Sequence, residues 1–244
     1  MKAMILAAGL GTRLRPLTND RPKALVEVAG HSLLEITLRR LASFGIRDVI
    51  VNVHHFAEMV VEYLANNNQF GMRIEISRED ILLDTGGGLK KAGWFFRGGD
   101  EPFVLHNVDV VSSIDLRKMM EFHREHRGLA TLAVQERETS RHLLFDADGR
   151  LCGRQAGQEP AEIVCEVKEP QPLAFSGIHV ISPRLLDKMT EEGIFSIIDC
   201  YLRLAKEGEE IVGFRADGYY WRDLGKPENV AQAAKDFDTQ AVHI

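Results

Sequence analysis

Apolar and polar positions follow two different spacings along the first half of the chain. Short runs of consecutive apolar residues, such as the run within residues 2–8, are typical of strands covered on both faces of a sheet. Stretches with apolar residues three or four positions apart lie between these runs and are typical of amphipathic helices. The pattern predicts strands over residues 2–8, 47–54, 71–77, 102–110 and 129–136, and helices over residues 32–45, 56–67, 89–96 and 115–128.

The alternation of strand and helix up to about residue 135 indicates the fold class. Repeated βα units with short connections predict a parallel, doubly wound α/β sheet with right-handed crossovers. At the first long helix, Ser32 and Glu35 have capping-box spacing, and Gly45 follows the last turn. Three consecutive glycines, residues 86–88, precede the helix predicted over 89–96, and by themselves they favour a flexible loop.

The second half of the chain has a different pattern. Residues 142–153 predict a hairpin that turns at Asp148 and Gly149. The elements predicted after it are a strand over 173–181, a helix over 195–208, and a strand or hairpin within 211–225. No low-complexity linker, repeat or charge block divides the chain. We therefore predict one domain over residues 1–244, with a Rossmann-like, doubly wound mixed sheet.

Composition narrows the class of protein. The chain has 244 residues and a net charge of −6, whereas a nucleic-acid binder usually carries a basic excess. Cys152, Cys165 and Cys200 lack Cys-x-x-Cys spacing, so we expect free thiols rather than zinc ligands or disulfides. The apolar N-terminal run is too short to span a membrane and lacks a signal-peptide layout. We expect a soluble, cytoplasmic protein without nucleic-acid or membrane partners.

A glycine-rich loop, AAGLGTR, follows the first predicted strand, where an open α/β sheet binds its ligand. Small residues in succession let backbone N–H groups point into one concavity and hold anionic oxygens. The loop lacks the Gly-Lys-Ser/Thr of a Walker A loop, and Leu14 occupies the third glycine position of a Rossmann fingerprint. Arg13 and Lys23 add two cations, which suit a polyphosphate.

This N-terminal segment resembles the signature of the sugar-1-phosphate nucleotidyltransferases. The signature reads L-x-A-G-x-G-T-R-L, then P-L-T, then P-K-x-L, and all of it is present within residues 6–25. The resemblance implies nucleotide contacts at Ala8, Gly9, Gly11 and Thr12, and catalytic cations at Arg13 and Lys23. The chain looks most similar to the short bacterial members, which act on heptose, mannose or N-acetylmuramate 1-phosphate.

Two glycine-containing segments further along also resemble this family. LDTGGGL is similar to the loop that lies against base and ribose, which implies nucleotide contacts at Gly86 and Gly87. FSGIHVISP is similar to the segment that binds the sugar phosphate, which implies a substrate contact at Gly177. Many relatives carry Glu-Lys-Pro before this strand, with the lysine on the sugar phosphate. This chain has EVKEP instead, so the role of Lys168 stays open.

Two aspartate-containing segments resemble the metal site of the family. VLHNVDV and YYWRDLGKP imply Asp109 and Asp223 as ligands of a magnesium cofactor, and Asn107 as a substrate contact. Magnesium typically binds one or two carboxylates together with substrate phosphates and waters, which suits two aspartates far apart in sequence. Val108 stands where the family usually has glycine before the first aspartate.

The resemblance extends from residue 1 to about residue 227 and implies one reaction. An NTP, either GTP or UTP, and a sugar 1-phosphate would give an NDP-sugar and pyrophosphate with magnesium. Residues 1–135 are expected to bind the nucleotide and residues 136–244 the sugar phosphate. No C-terminal β-helix domain is expected.

Three alternatives stay open at this level. A cytidylyltransferase acting on phosphocholine would have a similar opening loop. A glycosyltransferase would typically need an Asp-x-Asp motif, which NVDVV does not supply. A nucleotide-sensing module without catalysis would have no need for the two cations and two aspartates together. The base, the sugar and the oligomeric state are not determined by the sequence, and a homo-oligomer stays open.

Overall fold

Residues 1–238, which the computed structural model describes, form an α/β fold around one large mixed sheet. Strand β1 (Lys2–Leu6) lies inside the sheet, between β4 (Asp48–Val53) and β6 (Phe103–Asn107). Strand β5 (Arg73–Arg78) continues the sheet beyond β4, and these four strands are parallel. Their carboxyl ends therefore lie at one edge of the sheet, as predicted for a doubly wound fold.

One long strand connects the two halves of the chain. Strand β12 (Gln171–Ile181) pairs antiparallel with β6 through its C-terminal part, and with β8 (Ala130–Gln135) on both sides of Gly177. Its first residues pair with β9 (Arg141–Phe145). The ladder with β8 is irregular between Phe175 and His179, and Gly177 within this stretch has a φ of +73°. The strand thus changes its partner from β6 to β9 around Gly177.

The remaining strands extend this sheet or form small pairs beside it. Strands β10 (Leu151–Ala156) and β11 (Glu162–Ile163) lie beyond β9, and β13 (Ile211–Arg215) pairs in parallel with β8. Two separate antiparallel pairs join β2 (Glu27–Val28) to β3 (His31–Ser32), and β7 (Val110–Ser112) to β14 (Trp221–Asp223). The hairpin predicted at Asp148 and Gly149 is the β9–β10 connection. The segment 211–225 forms strands in two different sheets.

Helices cover both faces of the sheet. One face packs against α1 (Leu33–Ser43), α2 (Ala57–Asn66), α4 (Leu116–His126) and α7 (Pro227–Asp238), and the other against α3 (Asp84–Ala92), α5 (Arg184–Lys188) and α6 (Ile197–Lys206). Short 3-10 helices span Thr12–Leu14, Lys23–Leu25, Asn68–Gly71 and Gly93–Phe96. In β1, Ala3 and Ile5 face one layer and Met4 the other, all fully buried. Among the described helices, none has the length and apolarity needed to cross a membrane.

The start of α1 agrees with its predicted cap. The Ser32 hydroxyl accepts a hydrogen bond from the Glu35 backbone amide at 3.0 Å, which satisfies one of the free donors of the first turn. Gly45 follows the helix with a φ of +80°, a conformation that glycine adopts without strain.

The expectation of a flexible loop at residues 86–88 is wrong, because all three glycines lie inside α3. The amides of Gly86 and Gly87 donate to the Phe195 carbonyl at 2.9 and 3.3 Å. A Cβ on Gly86 would overlap the Phe195 ring, and a Cβ on Gly87 would overlap the Gly193 carbonyl oxygen. Glycine is therefore needed here because the segment before α6 packs directly against the helix backbone.

This packing predicts the effect of one added methyl group. Gly87→Ala should destabilise the fold by about 1–3 kcal/mol, since the clash with backbone outweighs the better helix propensity of alanine. Gly93→Ala is the matched control, because its Cβ would make ordinary contacts of 3.5 Å or more with Leu186. Urea unfolding of both variants measures the difference. Equal stability of the two variants would contradict this account.

Candidate active site

A cleft of about 490 Å³ lies where the parallel strands end. Polar or charged side chains from the ends of β1, β4, β5 and β6 and from the connections after them surround it, as the rule for open α/β sheets requires. Its lining residues are Leu6, Ala8, Gly9, Lys23, Asn52, Glu79, Leu82, Asp84, Thr85, Asn107, Asp109 and Ile194. The predicted nucleotide contacts Ala8 and Gly9 are thus brought together with Lys23, Asn107 and Asp109.

One buried amide connects three strand ends beneath this cleft. The Asn52 side chain accepts from the Ala7 backbone amide and donates to a Glu79 carboxylate oxygen, both at 2.7 Å. The other Glu79 oxygen accepts from the Leu83 amide at 3.0 Å, so the start of α3 is joined to the same network. Asn52 and Glu79 are 2% and 4% exposed, which makes this network part of the rigid floor of the cleft.

Lys23 and Asp109 form an ion pair at the cleft wall. The lysine ammonium bonds to one Asp109 carboxylate oxygen, and the two side chains are 14% and 11% exposed. This contact joins the loop after β1 to the turn between β6 and β7. Each charge is shielded from water by the protein, so each depends on the other for compensation.

Backbone pairing brings the second predicted metal ligand to the same place. Asp223 in β14 pairs with Val110 in β7, and the Leu224 amide donates to the Asp109 carbonyl at 2.7 Å. Gly225 lies against a carboxylate and a guanidinium group. A Cβ on it would be 2.7 Å from Asp223 Oδ1 and 2.8 Å from Arg13 Nη2. Lys23 and Asp109 thus line the cleft, whereas Arg13 and Asp223 meet at Gly225, close to the Asp109 backbone but outside the cleft lining.

The donor set fits magnesium. Within residues 1–238, no cluster of three or more His, Cys, Asp or Glu side chains could hold a metal by itself. Asp109 lines the cleft and Asp223 is brought near it by the β7–β14 pairing, and two such carboxylates would suit an ion that keeps waters and substrate phosphates as its other ligands. Metal binding at this pair stays a prediction.

Val108 does not disturb the first aspartate, although the family usually has glycine there. Its side chain is 2% exposed and belongs to the hydrophobic core, and its amide donates to the Leu6 carbonyl at 3.1 Å. Its φ is not positive, so the turn does not require glycine.

A second cavity, of about 650 Å³, adjoins the first and shares Asp84, Thr85 and Asn107 with it. Strands β9, β10 and β12 and the start of α6 contribute most of its other lining residues. The predicted substrate contacts meet at its edge, since a Cβ on Gly177 would lie 2.9 Å from Asn107 Nδ2. The glycine with positive φ thus lets β12 pass close to the Asn107 side chain.

Other predicted contacts lie apart from the lining of both cavities. Gly86 and Gly87 are buried against residues 193–195, and Asp84 and Thr85 before them face the cavities instead. Gly11 packs against Thr18 and Lys23, with the exposed Thr12 beside it. Nucleotide contacts by these residues stay predictions. Lys168 is exposed and lines neither cavity.

Sequence reasoning missed Asn52 and Glu79. Asn52 is a polar residue near the carboxyl end of β4, and Glu79 directly follows β5. The rule that an open α/β sheet binds its ligand at the carboxyl ends of its strands would have found both. Arg137 lies half-buried beside Trp221.

The buried imidazoles near the site are held neutral. Burial lowers the pKa of His106 to about 4, with a smaller contribution from Arg40. Burial likewise lowers the pKa of His179, which lines the second cavity, to about 3, and its Nδ1 contacts the Tyr201 hydroxyl at 3.0 Å. His106 is a strand residue of β6, as expected, and it contacts the Asn107 carbonyl.

Known proteins are similar to this chain in sequence or in fold. The sequence profile described as nucleotidyl transferase matches residues 2–240. N-acetylmuramate α-1-phosphate uridylyltransferase of Caulobacter vibrioides is 34% identical over 240 residues, covering 93% of this chain and 92% of that protein. Mannose-1-phosphate guanyltransferase of Neurospora crassa is 30% identical, covering 94% of this chain and 62% of that protein. HddC from Yersinia pseudotuberculosis, complexed with GMP-PN, has the same fold, with a TM-score of 0.77 at 22% identity over 97% of this chain and 99% of that one.

The chain therefore belongs to the nucleotidyl transferase family. The match spans nearly the full Caulobacter relative, whereas it spans less than two thirds of the Neurospora relative. The resemblance found in the N-terminal signature and the predicted α/β class with a mixed sheet are both confirmed.

The contacts of Gly225 predict a loss of activity without a loss of fold. In Gly225→Ala the new methyl group must displace the Asp223 carboxylate or the Arg13 guanidinium, and displacement by about 1 Å can reduce turnover about 10²-fold. Gly218→Ala is the control, because no heavy atom lies within 4 Å of its Cβ position. Steady-state nucleotidyl transfer and thermal unfolding of both variants test this. Normal turnover of Gly225→Ala would show that these two side chains need not hold their positions.

Proposed function

We propose that this protein joins the nucleotidyl group of an NTP to a sugar 1-phosphate and releases pyrophosphate. The observation that carries the proposal is the junction of two cavities at Asp84, Thr85 and Asn107, the first of which is also lined by Lys23 and Asp109. The cleft at the strand ends of the first half would hold the nucleotide. The cavity lined mainly by the second half would hold the sugar phosphate, with residues near Asn107 between the two.

The chemistry requires positioning and charge rather than a general base. A phosphate monoester has a second pKa of about 6, so the sugar phosphate is mainly a nucleophilic dianion at neutral pH. One of its oxygens forms a bond to the α-phosphorus of the NTP. The bond from that phosphorus to the bridging oxygen breaks, and pyrophosphate leaves with the electron pair. Fixed positive charge stabilises this transition state and reduces the repulsion between the two anions.

Arg13 and Lys23 are the residues that would supply this charge. Lys23 lies in the cleft wall beside Asp109, and Arg13 lies beside Asp223 across Gly225. Asp109 and Asp223 would hold Mg²⁺, which supplies further positive charge to phosphate oxygens when it is bound. Ala8, Gly9, Gly11 and Thr12 would let the backbone approach the NTP, while Gly86 and Gly87 would act at the base and ribose.

The substrates proposed are those of the relatives. UTP with N-acetylmuramate 1-phosphate comes from the Caulobacter enzyme, and GTP with mannose 1-phosphate comes from the Neurospora enzyme. The first pair is favoured, because that relative matches this chain over 92% of its own length. A role in making precursors of cell-envelope polysaccharide would follow. Phosphocholine is the alternative acceptor. The Caulobacter and Neurospora relatives are both named for a sugar 1-phosphate instead.

A cytoplasmic location belongs to the same proposal. The described cysteines Cys152, Cys165 and Cys200 are free thiols, which suits a reducing compartment, and nucleoside triphosphates are cytoplasmic substrates. We also propose that residues up to about 135 bind the nucleotide and that the later residues bind the sugar phosphate. A homo-oligomeric state stays a proposal too.

Pyrophosphate release with Mg²⁺ tests the function directly. The four NTPs should be combined with N-acetylmuramate, mannose, glucose and heptose 1-phosphates, and with phosphocholine. Release with one sugar phosphate and one NTP would establish the reaction and identify both substrates. Release only with CTP and phosphocholine would support the alternative. If no combination releases pyrophosphate but the protein still binds an NTP, the result would favour a nucleotide-sensing role.

Removal of either cation should reduce turnover strongly. We expect Arg13→Ala and Lys23→Ala to lower kcat about 10²–10³-fold, the usual size for loss of one donor to a transition state. Arg21→Ala is the control, since the Arg21 side chain is 43% exposed and forms its ion pair with the neighbouring Asp20. Steady-state kinetics with the active substrate pair gives the comparison. Turnover of both cation variants within a few-fold of the unmodified protein would refute their role.

A further inference from the structure

Two arginines line the second cavity, the exposed Arg141 and Arg154, which already pairs with Glu162 and Asp199. Lys23 is already paired with Asp109, and Arg13 lies beside Asp223 at Gly225. Lys168, the candidate from the EVKEP segment, is exposed and lines neither cavity. A phosphate dianion that enters between the second cavity and the two aspartates needs compensation by another positive group.

Arg137 itself lines neither cavity, but its neighbours connect the two regions. It follows the carboxyl end of β8, and its guanidinium stacks on the Trp221 ring with its central carbon 3.7 Å from the ring centroid. Its Nη2 donates to the Phe175 carbonyl at 2.8 Å. Phe175 lines the second cavity, and Trp221 is two residues before Asp223. Arg137 therefore contacts a residue of the cavity wall on one side and lies near the predicted metal ligand Asp223 on the other.

The guanidinium also has unused hydrogen-bonding capacity. Its Nε is buried and has no acceptor among residues 1–238, where Nη2 is the one nitrogen with a recorded acceptor. Burial lowers the pKa of Arg137, and the Asp223 carboxylate, which is close enough to act on it, raises that pKa. Buried charged donors without acceptors are costly, so an unpaired one beside a ligand cavity indicates a missing partner.

We propose that Arg137 binds the phosphate of the sugar 1-phosphate, in place of the lysine that many relatives use. This assignment rests on the proposed function of the two cavities. The planar guanidinium is suited to this task, because it can present two parallel donors to phosphate oxygens while its face stays on Trp221. Binding there would place the nucleophilic phosphate beside Asp223 and Arg13.

A purely structural role for Arg137 makes different predictions. Arg137 and Trp221 hold the carbonyls of Phe175 and Ser176, where β12 changes partner before Gly177. If Arg137 only holds this bend, its removal should lower stability and impair both substrates to a similar degree. If it binds the sugar phosphate, its removal should affect that substrate selectively.

The kinetics of Arg137→Met and Arg137→Lys separate these roles. The probes are N-acetylmuramate 1-phosphate with UTP and mannose 1-phosphate with GTP, whichever pair the unmodified protein turns over. A lost charged hydrogen bond changes affinity about 10–100-fold, so Arg137→Met should raise KM for the sugar phosphate by that factor. KM for the NTP should stay near its original value. Arg137→Lys should recover part of the loss, because it keeps the positive charge.

Lys168→Met is the matched control and should leave both KM values unchanged. An unchanged KM for the sugar phosphate in Arg137→Met would overturn the proposal. So would a similar rise of both KM values together with a lower urea midpoint. A selective rise in Lys168→Met instead would assign the contact to Lys168.

A binding measurement keeps the test valid if no substrate pair is turned over. The chain has two tryptophans, and Trp94→Phe leaves Trp221 as a reporter beside Arg137. Saturable fluorescence change on titration with N-acetylmuramate or mannose 1-phosphate, abolished by Arg137→Met, would support Arg137 even where the proposed reaction fails. A change that persists in Arg137→Met, or no saturable change in either protein, would overturn it.

Discussion

The ion pair between Lys23 and Asp109 is the contact on which the geometry of the site depends. It joins the loop after β1 to the turn after β6, and both side chains are largely removed from water. Breaking such a pair would leave an uncompensated charge, which is energetically costly. This cost holds the two segments together in the free protein. In the proposed reaction each partner acquires a new counter-charge, the lysine from phosphate and the aspartate from the metal. The same pair would thus serve as a resting arrangement of the catalytic charges.

The polar network below this pair makes the cleft rigid. Asn52 connects the backbone after β1 to Glu79 after β5, and Glu79 in turn accepts from the start of α3. Parallel strands end at one edge of the sheet, so polar residues placed at those ends meet without any long loop. A fully satisfied network in a buried position specifies one arrangement of the strand ends. The cleft at the strand ends is therefore defined by backbone geometry as much as by its own side chains.

Small residues act in this protein mainly by letting backbone and side chains approach each other. Gly225 makes room for Asp223 and Arg13, and Gly177 makes room for Asn107. Gly86 and Gly87 make room for the segment before α6, which also reaches the cavity wall through Ser196 and Ile197. The glycine-rich sequence of α3 thus connects the cleft at the strand ends to the helix beside the second cavity. Val108 is an example of a position that does not need a small residue. Its φ is not positive, so the turn accepts a buried valine.

The sequence by itself determined the fold class, the family and the set of candidate charges. Apolar periodicity revealed the β1–α1–β4 order, since covered strands and amphipathic helices bury apolar residues at different spacings. The signature around Arg13 and Lys23 pointed to the family, because many positions agree at once. Only the tertiary structure decided which residues meet. The β7–β14 pairing brings Asp223 to Asp109 across more than a hundred residues, and stacking on Trp221 places Arg137 beside them. Such contacts depend on strand pairing between distant segments, for which local spacing carries no signal.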